Sequence, residues 1–280
     1  MSRGLSTTAD VLVFLVLVSA AAATLALPTG SAPSADADAA ATIVERTTAD
    51  IEYRLVAPDD DRFPSAVGFE RRTSGRLAAL LARSAVRNTT IDGRQLTRVS
   101  DAYERQVAAA VVNATGPRTQ VVARWQPFDG SAISGRAVAG PTPPADAVVA
   151  SQCRTVRAGG EPRARAQRAA EESGYAGVAT VAAALTVERL WPATGMRSAL
   201  AADYPTDRLA AVRYEAAGRR LDLSVDAPLD ARNVTELNAR LHAALQRRYE
   251  RRLRTRFDSP AAAARAIRPG VRLVVRRWSV

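Results

Sequence analysis

A single uncharged segment near the N-terminus constrains this chain more strongly than any other part of its sequence. Residues 11–27 (VLVFLVLVSAAAATLAL) carry no charged side chain, and Asp10 and Pro28 bound the segment on its two sides. Counted from Leu5, a helix of roughly 20 residues can cross the hydrocarbon core of a bilayer, which is about 30 Å thick. The sequence therefore predicts an N-terminal transmembrane helix within residues 1–27, acting as a membrane anchor or as a signal.

The charges on either side of this segment predict its orientation. Arg3 and the amino group precede it, whereas Asp36 and Asp38 follow it and the next basic residue is Arg46. Positively charged flanks stay on the cytoplasmic side of a membrane. We therefore predict a single-pass protein of the cell membrane, with its N-terminus inside and its C-terminal domain extracellular.

Three fates of the apolar segment fit the sequence. It could be a secretory signal that is removed, because the small residues 19–23 are typical of a cleavage region. It could stay as an uncleaved anchor. The third fate is pilin-type processing, because residues 3–7 (RGLST) resemble the archaeal type IV prepilin pattern. That resemblance implies a cut between Gly4 and Leu5, with the hydrophobic helix retained.

Three sequons for N-linked glycosylation agree with an extracellular location. They begin at Asn88, Asn113 and Asn233, and each has a threonine two residues later. Asn233 has a second interpretation, because Glu236 three residues later completes a pattern like a capping box at the start of a helix. We favour the helix cap at that position.

The residues after the apolar segment predict a tether and one extracellular α+β domain. Residues 28–40 (PTGSAPSADADAA) are small, polar and proline-bearing, as in flexible linkers. Hydrophobic residues recur with period two or period 3.6 along residues 41–280. The predicted strands are 51–56, 119–128, 137–139, 147–156 and 271–278, and the predicted helices are 74–86, 98–112, 175–191, 196–202, 206–217, 234–256 and a short one from residue 260. This pattern predicts an α+β fold with a small, mostly antiparallel sheet covered by several helices.

Two stretches of this domain need separate interpretation. Residues 157–168 are polar and rich in glycine and arginine, and we predict a mobile linker or a subdomain boundary there. Residues 175–191 are apolar on most faces but include Glu188. Because roughly 17 residues are short for a membrane span, we predict a buried core helix.

The chain holds few of the side chains on which common catalytic and metal sites depend. It has one histidine, His242, and one cysteine, Cys153, whereas a structural zinc site takes four ligands. We expect a structural or surface role for His242. Cys153 is expected to be a buried thiol, with intermolecular pairing as the alternative. The glycine and acidic patterns match neither a phosphate-binding loop nor an EF-hand, so we predict no enzymatic activity, no cofactor and no metal.

Arginine supplies every positively charged side chain, since the chain has 39 basic residues and no lysine, and its net charge is +11. Such an excess favours an acidic partner. The arginines are densest on the predicted helix 234–256, on faces away from its leucine stripe. A solvated helix face is the alternative interpretation, and an extracellular location disfavours nucleic acid. The candidate contacts for an acidic envelope partner or an anionic lipid surface are Arg247, Arg248, Arg251 and Arg252.

Four stretches carry a resemblance to a known group of proteins. They are residues 3–7 (RGLST), 118–125 (RTQVVARW), 203–205 (DYP) and 256–265 (RFDSPAAAAR). Together they resemble a haloarchaeal family of N-terminally anchored, pilin-like proteins associated with type IV pilus or secretion machinery. The family has no known activity, so the resemblance implies a setting: contact with the membrane through the N-terminal helix, and envelope or pilus-like protein partners.

These observations give three hypotheses for function. The leading one is a non-enzymatic, membrane-anchored extracellular component of a cell-surface assembly, such as a minor pilin-like or accessory subunit. The second is a binding module that recognises an acidic envelope partner or an anionic lipid surface through helix 234–256. The third is a carboxylate-based hydrolase, which requires two acidic side chains in one pocket, one of them with a raised pKa.

Overall fold

The computed structural model describes residues 33–56, 68–157 and 159–279, which form nine helices and eight strands. The helices are α1 (Pro33–Arg46), α2 (Leu77–Arg87), α3 (Asp101–Thr115), α4 (Pro162–Leu190), α5 (Ala193–Ala201), α6 (Thr206–Leu221), α7 (Asp226–Asp230), α8 (Val234–Arg256) and α9 (Pro260–Arg265). The strands are β1 (Thr48–Val56), β2 (Gly68–Arg76), β3 (Thr89–Ile91), β4 (Arg94–Gln95), β5 (Thr119–Trp125), β6 (Ile133–Ala139), β7 (Val148–Val156) and β8 (Val271–Ser279). The predicted α+β class is confirmed.

The strands form one large antiparallel sheet and a separate hairpin. Six strands pair in the order β4-β3-β6-β5-β8-β7, whereas β1 and β2 pair only with each other among the described residues. The predicted antiparallel pairing is confirmed, but the sheet is larger than the small one we expected. Strands β2, β3 and β4 were missed because β2 (GFERRTSGR) lacks an alternating apolar pattern and the other two are very short.

One face of the large sheet is covered by α1, α2 and α3. Alternate residues of the central strands point into this core, including Val121 and Ala123 of β5 and Leu273 of β8. Helix α2 lies close against β6, because a Cβ atom on Gly135 would stand 1.9 Å from the carbonyl oxygen of Ala85. Glycine therefore sets the distance between this helix and the sheet.

Helices α4, α8 and α9 pack together and join the same hydrophobic core. The leucine stripe of α8 is buried as predicted, and the bounds of that helix agree with the prediction. Tyr249 of α8 shares a hydrogen bond of 3.0 Å with Thr186 of α4. Its ring also meets Phe128 edge-on at 5.1 Å, and Phe128 forms an isolated β-bridge with Ile267. These contacts tie the helices to the end of the sheet.

The predicted linker at residues 157–168 is wrong from Pro162 onward, because α4 begins there. Proline suits the first position of a helix, and the alanine- and arginine-rich residues after it are good helix formers, with Ala166 fully buried. Gly174 interrupts the helix with φ 60° and ψ −139°, a conformation available mainly to glycine. The part after this break is buried, so the predicted core helix at 175–191 is confirmed.

The predicted tether at residues 28–40 is replaced by helix from Pro33 onward. Its alanines fall at helical spacing, and Ala37, Ala41 and Val44 are buried where α1 packs on β7 and β8. Residues 28–32, the predicted anchor at 1–27 and its Gly4–Leu5 site lie outside the described residues. Among the described ranges, the helices lack the combination of length and hydropathy that a membrane span requires.

Candidate anion-binding site

The four arginines predicted to bind an acidic partner divide into two pairs. Arg248 forms an ion pair with Asp92, and Arg252 donates from Nε to the carbonyl oxygen of Gly130 at 3.3 Å. These two side chains fasten α8 to neighbouring turns of its own chain. Arg247 and Arg251 are exposed and have no hydrogen bond or ion pair within the part of the chain that the structure describes. Only this second pair remains free to bind a partner.

Other arginines of α8 also contact their own chain. Arg254 pairs with Glu250 at 2.7 Å, and its guanidinium lies 5.4 Å from the ring centre of Tyr175. Arg256 donates from Nε to the carbonyl oxygen of Asp129 at 3.1 Å. Internal contacts therefore occupy much of the positive charge on α8, as expected for an ordinary solvated helix face.

A second concentration of arginine lies in a groove of about 870 Å³ where β5, β7 and β8 meet the first turn of α4. The five arginines that line it are Arg124, Arg157, Arg163, Arg268 and Arg272. We call this feature the arginine groove. Two carboxylates, Asp129 and Glu161, also line it, so the groove has an excess of positive charge.

The register of the sheet places two of these arginines side by side. Arg124 of β5 pairs with Arg272 of β8, and both side chains are exposed. Their neighbours Ala123, Trp125 and Leu273 face the core, so both arginines lie on the opposite, outer face of the sheet. Like charges placed directly opposite each other on neighbouring strands repel. The sheet thus holds positive charge that its own pairing does not compensate.

Internal contacts account for three of the five arginines. Arg268 makes a two-point ion pair with Asp129, with its Nε 2.8 Å from Oδ1. Arg163 donates from Nε to the carbonyl oxygen of Ile267 at 3.1 Å, and Arg272 contacts Cys153 Sγ at 3.3 Å. These contacts hold the guanidinium groups in place, and among the described residues only Asp129 neutralises one of them.

The remaining two arginines, Arg124 and Arg157, make no hydrogen bond or ion pair with any described residue. The N-terminus of α4 adds to the positive potential beside them. Its N-cap residue, Glu161, provides no side-chain cap, and Ala164 of the first turn lines the groove. Uncapped amide groups and the helix dipole favour anions at such a terminus.

A smaller cavity of about 370 Å³ adjoins the arginine groove and shares four lining residues with it: Gly160, Pro162, Arg268 and Pro269. Arg189 lies in this cavity, and its Nη2 donates to the carbonyl oxygen of Pro269 at 3.4 Å. Burial lowers the pKa of Arg189, and the nearby charge of Glu188 opposes this shift only in part. A bound anion would stabilise this partly buried cation.

The arrangement is suited to binding oxyanions, because guanidinium groups pair well with carboxylates and phosphates. Its two carboxylates do not form an acid–base pair, since Asp129 is held by Arg268. A raised carboxyl pKa does occur at Glu104, caused by burial first and by Asp101 second, but neither residue lines the groove. Within residues 33–56, 68–157 and 159–279, no three His, Cys, Asp or Glu side chains come together as metal ligands.

The predicted glycosylation sites have different structural surroundings. Asn88 donates from Nδ2 to the carbonyl oxygen of Arg136 at 2.9 Å. Asn113 is exposed, but the hydroxyl of Thr115 in the same sequon is buried and bonded to the carbonyl oxygen of Val111 at 2.8 Å. Asn233 caps α8 by accepting a hydrogen bond from the amide of Glu236, which confirms its predicted structural role. Glycosylation stays a prediction at all three sequons.

The single histidine and the single cysteine also have defined surroundings. His242 is half-buried, with Nε2 3.2 Å from the carbonyl oxygen of Thr180, which agrees with the expected structural role. The expectation of a buried thiol at Cys153 is wrong. Cys153 lies on β7, at the edge of the sheet and on its outer face, and is exposed.

Sequence reasoning missed the arginine groove because its residues come from separate parts of the chain. Local signals were present in two places. The residues of β8 (VRLVVRRWS) alternate in a way that puts Arg272 on the polar face of a strand, and Pro162 after Gly159-Gly160-Glu161 indicates a helix start. Neither signal shows that these residues lie next to each other.

The chain was compared with curated proteins, with solved structures and with models of protein families. No curated protein and no solved structure has significant similarity to it. A family model described as a family of unknown function, DUF7284, matches residues 9–278. This match covers all the described helices, the sheet except Ser279 at the end of β8, and every residue of the arginine groove. The chain therefore belongs to the DUF7284 family.

Proposed function

We propose that this protein is a non-enzymatic, membrane-anchored component of a cell-surface assembly, and that its folded domain binds an acidic partner outside the cell. The observation that supports the binding role is the arginine groove, with five arginines, two carboxylates and an uncapped helix N-terminus. The apolar residues 11–27 and the charges beside them support the membrane setting. A minor pilin-like or accessory subunit, as in the haloarchaeal family that the sequence resembles, would have such a setting.

The groove is a better candidate than α8 for the binding surface. Arg124 and Arg157 make no hydrogen bond or ion pair with the described residues and lie in a concave site, whereas Arg248 and Arg252 are already bound to their own chain. Concave sites surround a ligand with several groups at once, and a helix face offers fewer. The exposed Arg247 and Arg251 then serve as a matched control with the same residue type and the same charge.

The test compares two double variants of the full-length protein in a neutral detergent. Binding to immobilised poly-glutamate, a simple acidic partner, is measured by biolayer interferometry at constant salt. We expect Arg124→Gln with Arg272→Gln to weaken binding about tenfold, which corresponds to two charge contacts of about 0.7 kcal/mol each. The control Arg247→Gln with Arg251→Gln removes the same charge and should change the affinity about twofold or less.

Equal weakening by both double variants would mean that only the overall charge matters, and it would reject the groove as a site. Greater weakening by the α8 variant would support the alternative in which helix 234–256 binds the partner. Circular dichroism of each variant, before and after heating, separates lost binding from lost structure. All four substitutions replace exposed side chains, so unchanged spectra are expected.

A further inference from the structure

We infer that the ligand of the arginine groove is a linear anionic polysaccharide, which continues from the groove across the outer face of the large sheet. This inference rests on the proposed binding role of the groove and specifies the chemistry of the partner. Its basis is the cross-strand row formed by Arg136, Arg124 and Arg272. In the sheet register, Arg124 pairs with Arg136 of β6 on one side and with Arg272 of β8 on the other.

The three arginines of the row are all exposed and lie on one face. Neighbouring strands are about 4.8 Å apart, so the row presents regularly spaced positive charges at right angles to the strands. Thr155 of β7 continues the row next to Arg272 and lines the groove. A single small anion would contact only part of this row, whereas a linear polymer with one charge per repeat unit could contact all of it.

Other charged groups near the row leave its positive charge largely uncompensated. Glu104 of α3 interacts with Arg136 through space, and the charge of Asp129 reaches Arg272, but Asp129 is already paired with Arg268. Three like charges in register repel one another. A bound polyanion would remove this repulsion and would gain charge-assisted contacts with each guanidinium.

The side chains between and beside the arginines favour a polysaccharide over a nucleic acid. Single-stranded nucleic acids are held by aromatic side chains on which the bases stack, whereas the outer-face positions next to the row are Val122, Val138 and Val274. The aromatic side chain on this face of β8, Trp278, is buried. Neutral polar groups, Gln167 and Thr155, lie among the arginines of the groove. They are suited to sugar hydroxyls, which accompany the carboxylates of a uronic acid polymer.

The experiment measures how binding of the full-length protein depends on the length of a carboxylated glycan. Oligogalacturonates of two, four and eight units are titrated by isothermal calorimetry into the wild-type protein and into Arg136→Gln, which alters the row but not the groove. We expect the affinity of the wild-type protein to rise with length. The substitution should weaken binding of the octamer about fivefold, the value of one exposed charge contact near 1 kcal/mol, and leave the dimer unchanged.

A second readout uses the only cysteine of the chain. Cys153 is exposed on the outer face of β7 and contacts Arg272. A polymer that lies along the row should therefore slow its alkylation by iodoacetamide, and the octamer should protect it more than the dimer. The Arg247→Gln control should keep both the length dependence and the protection, because that side chain lies on α8.

The outcomes distinguish this inference from the proposed function. Two results would overturn the inference that the ligand is a polysaccharide. One is equal affinity for oligogalacturonates of all three lengths, and the other is tighter binding of the oligonucleotide dT8 than of the galacturonate octamer. If the groove variants still lose poly-glutamate binding in that case, the acidic-partner function stands. Unchanged octamer affinity in Arg136→Gln would likewise overturn the polysaccharide inference. If, in addition, poly-glutamate does not distinguish the groove variant from the Arg247→Gln and Arg251→Gln control, both proposals fail.

Discussion

At the scale of a single residue, Arg213 carries a positive charge that we expect to lower the free energy of unfolding. The side chain is half-buried, its Nε atom is fully buried and makes no hydrogen bond with any described residue, and its guanidinium lies 5.9 Å from the ring centre of Trp191. Burial and the charge of Arg87 lower the pKa of Arg213 to about 10, so the side chain is still charged at neutral pH. A charge that is partly withdrawn from water without an opposite charge beside it destabilises a protein, and an apolar residue of similar shape often does not.

We therefore expect Arg213→Met to raise the free energy of unfolding by about 1 kcal/mol at pH 7. Methionine keeps the apolar packing against Trp191 and removes the partly buried charge. Urea denaturation followed by circular dichroism measures the change. Arg265→Met, which replaces an exposed arginine, serves as the control and should change stability by less than about 0.5 kcal/mol. A loss of stability in Arg213→Met larger than that of the control would contradict this account.

At the scale of the element, α4 depends on a backbone conformation that one glycine allows. Gly174 has φ 60° and ψ −139°, and it separates the first part of α4, which lines the arginine groove, from the buried part that packs on α8. Among the described residues, a Cβ atom at this position would have only Pro260 within 4 Å, at 3.9 Å, so space is available. The requirement for glycine is therefore one of backbone strain.

We expect Gly174→Ala to destabilise the protein by about 1–3 kcal/mol, the usual range for a side chain forced into such a conformation. Gly195→Ala is the matched control, because Gly195 lies inside α5 with its nearest neighbour at 3.6 Å. That substitution should stabilise the protein by up to about 1 kcal/mol, since alanine favours helix. The melting temperature should fall for Gly174→Ala and rise for Gly195→Ala. A rise in both variants would show that backbone strain at residue 174 is small.

At the scale of the whole molecule, our proposal assigns different environments to the two ends of the chain on the basis of the apolar residues 11–27. Our proposal places the N-terminus inside the cell and the residues after the segment outside it. Under that proposal the positively charged groove lies outside the cell, and so does its acidic partner. The strength of such binding falls with ionic strength, because salt screens exposed charges.

The mature N-terminus distinguishes the three fates of the apolar segment. Pilin-type processing predicts a chain that starts at Leu5 and keeps the hydrophobic helix, and an uncleaved anchor predicts intact Met1. A removed secretory signal predicts a start near residue 24 or beyond. Mass spectrometry of the protein purified from membranes measures this directly. Protease treatment of intact cells with tags at both ends tests the topology, and a protected C-terminal tag would contradict it.

The sequence by itself determined those elements whose signal is local. Helix α8 was predicted with its observed bounds, because its leucine stripe at helical spacing and its cap at Asn233 both lie within one continuous segment of the sequence. The strands around 119–125, 148–156 and 271–279 were identified in the same way from their alternating patterns. Local signals did not predict β2, because this strand is stabilised by its pairing with β1. They also did not predict α1, because its small residues are typical of a linker and only their packing against β7 and β8 stabilises a helix there.

Only the tertiary structure decided where the arginines meet. Strand β8, near the end of the sequence, lies between β5 and β7 and so places Arg272 beside Arg124, while the start of α4 brings Arg163 to the same groove. Pairing between strands that are more than a hundred residues apart depends on the burial of a whole face of the sheet. A short segment of sequence does not contain the information that determines this pairing. In the sequence alone, nothing distinguished the arginines of the groove from the other arginines of the chain.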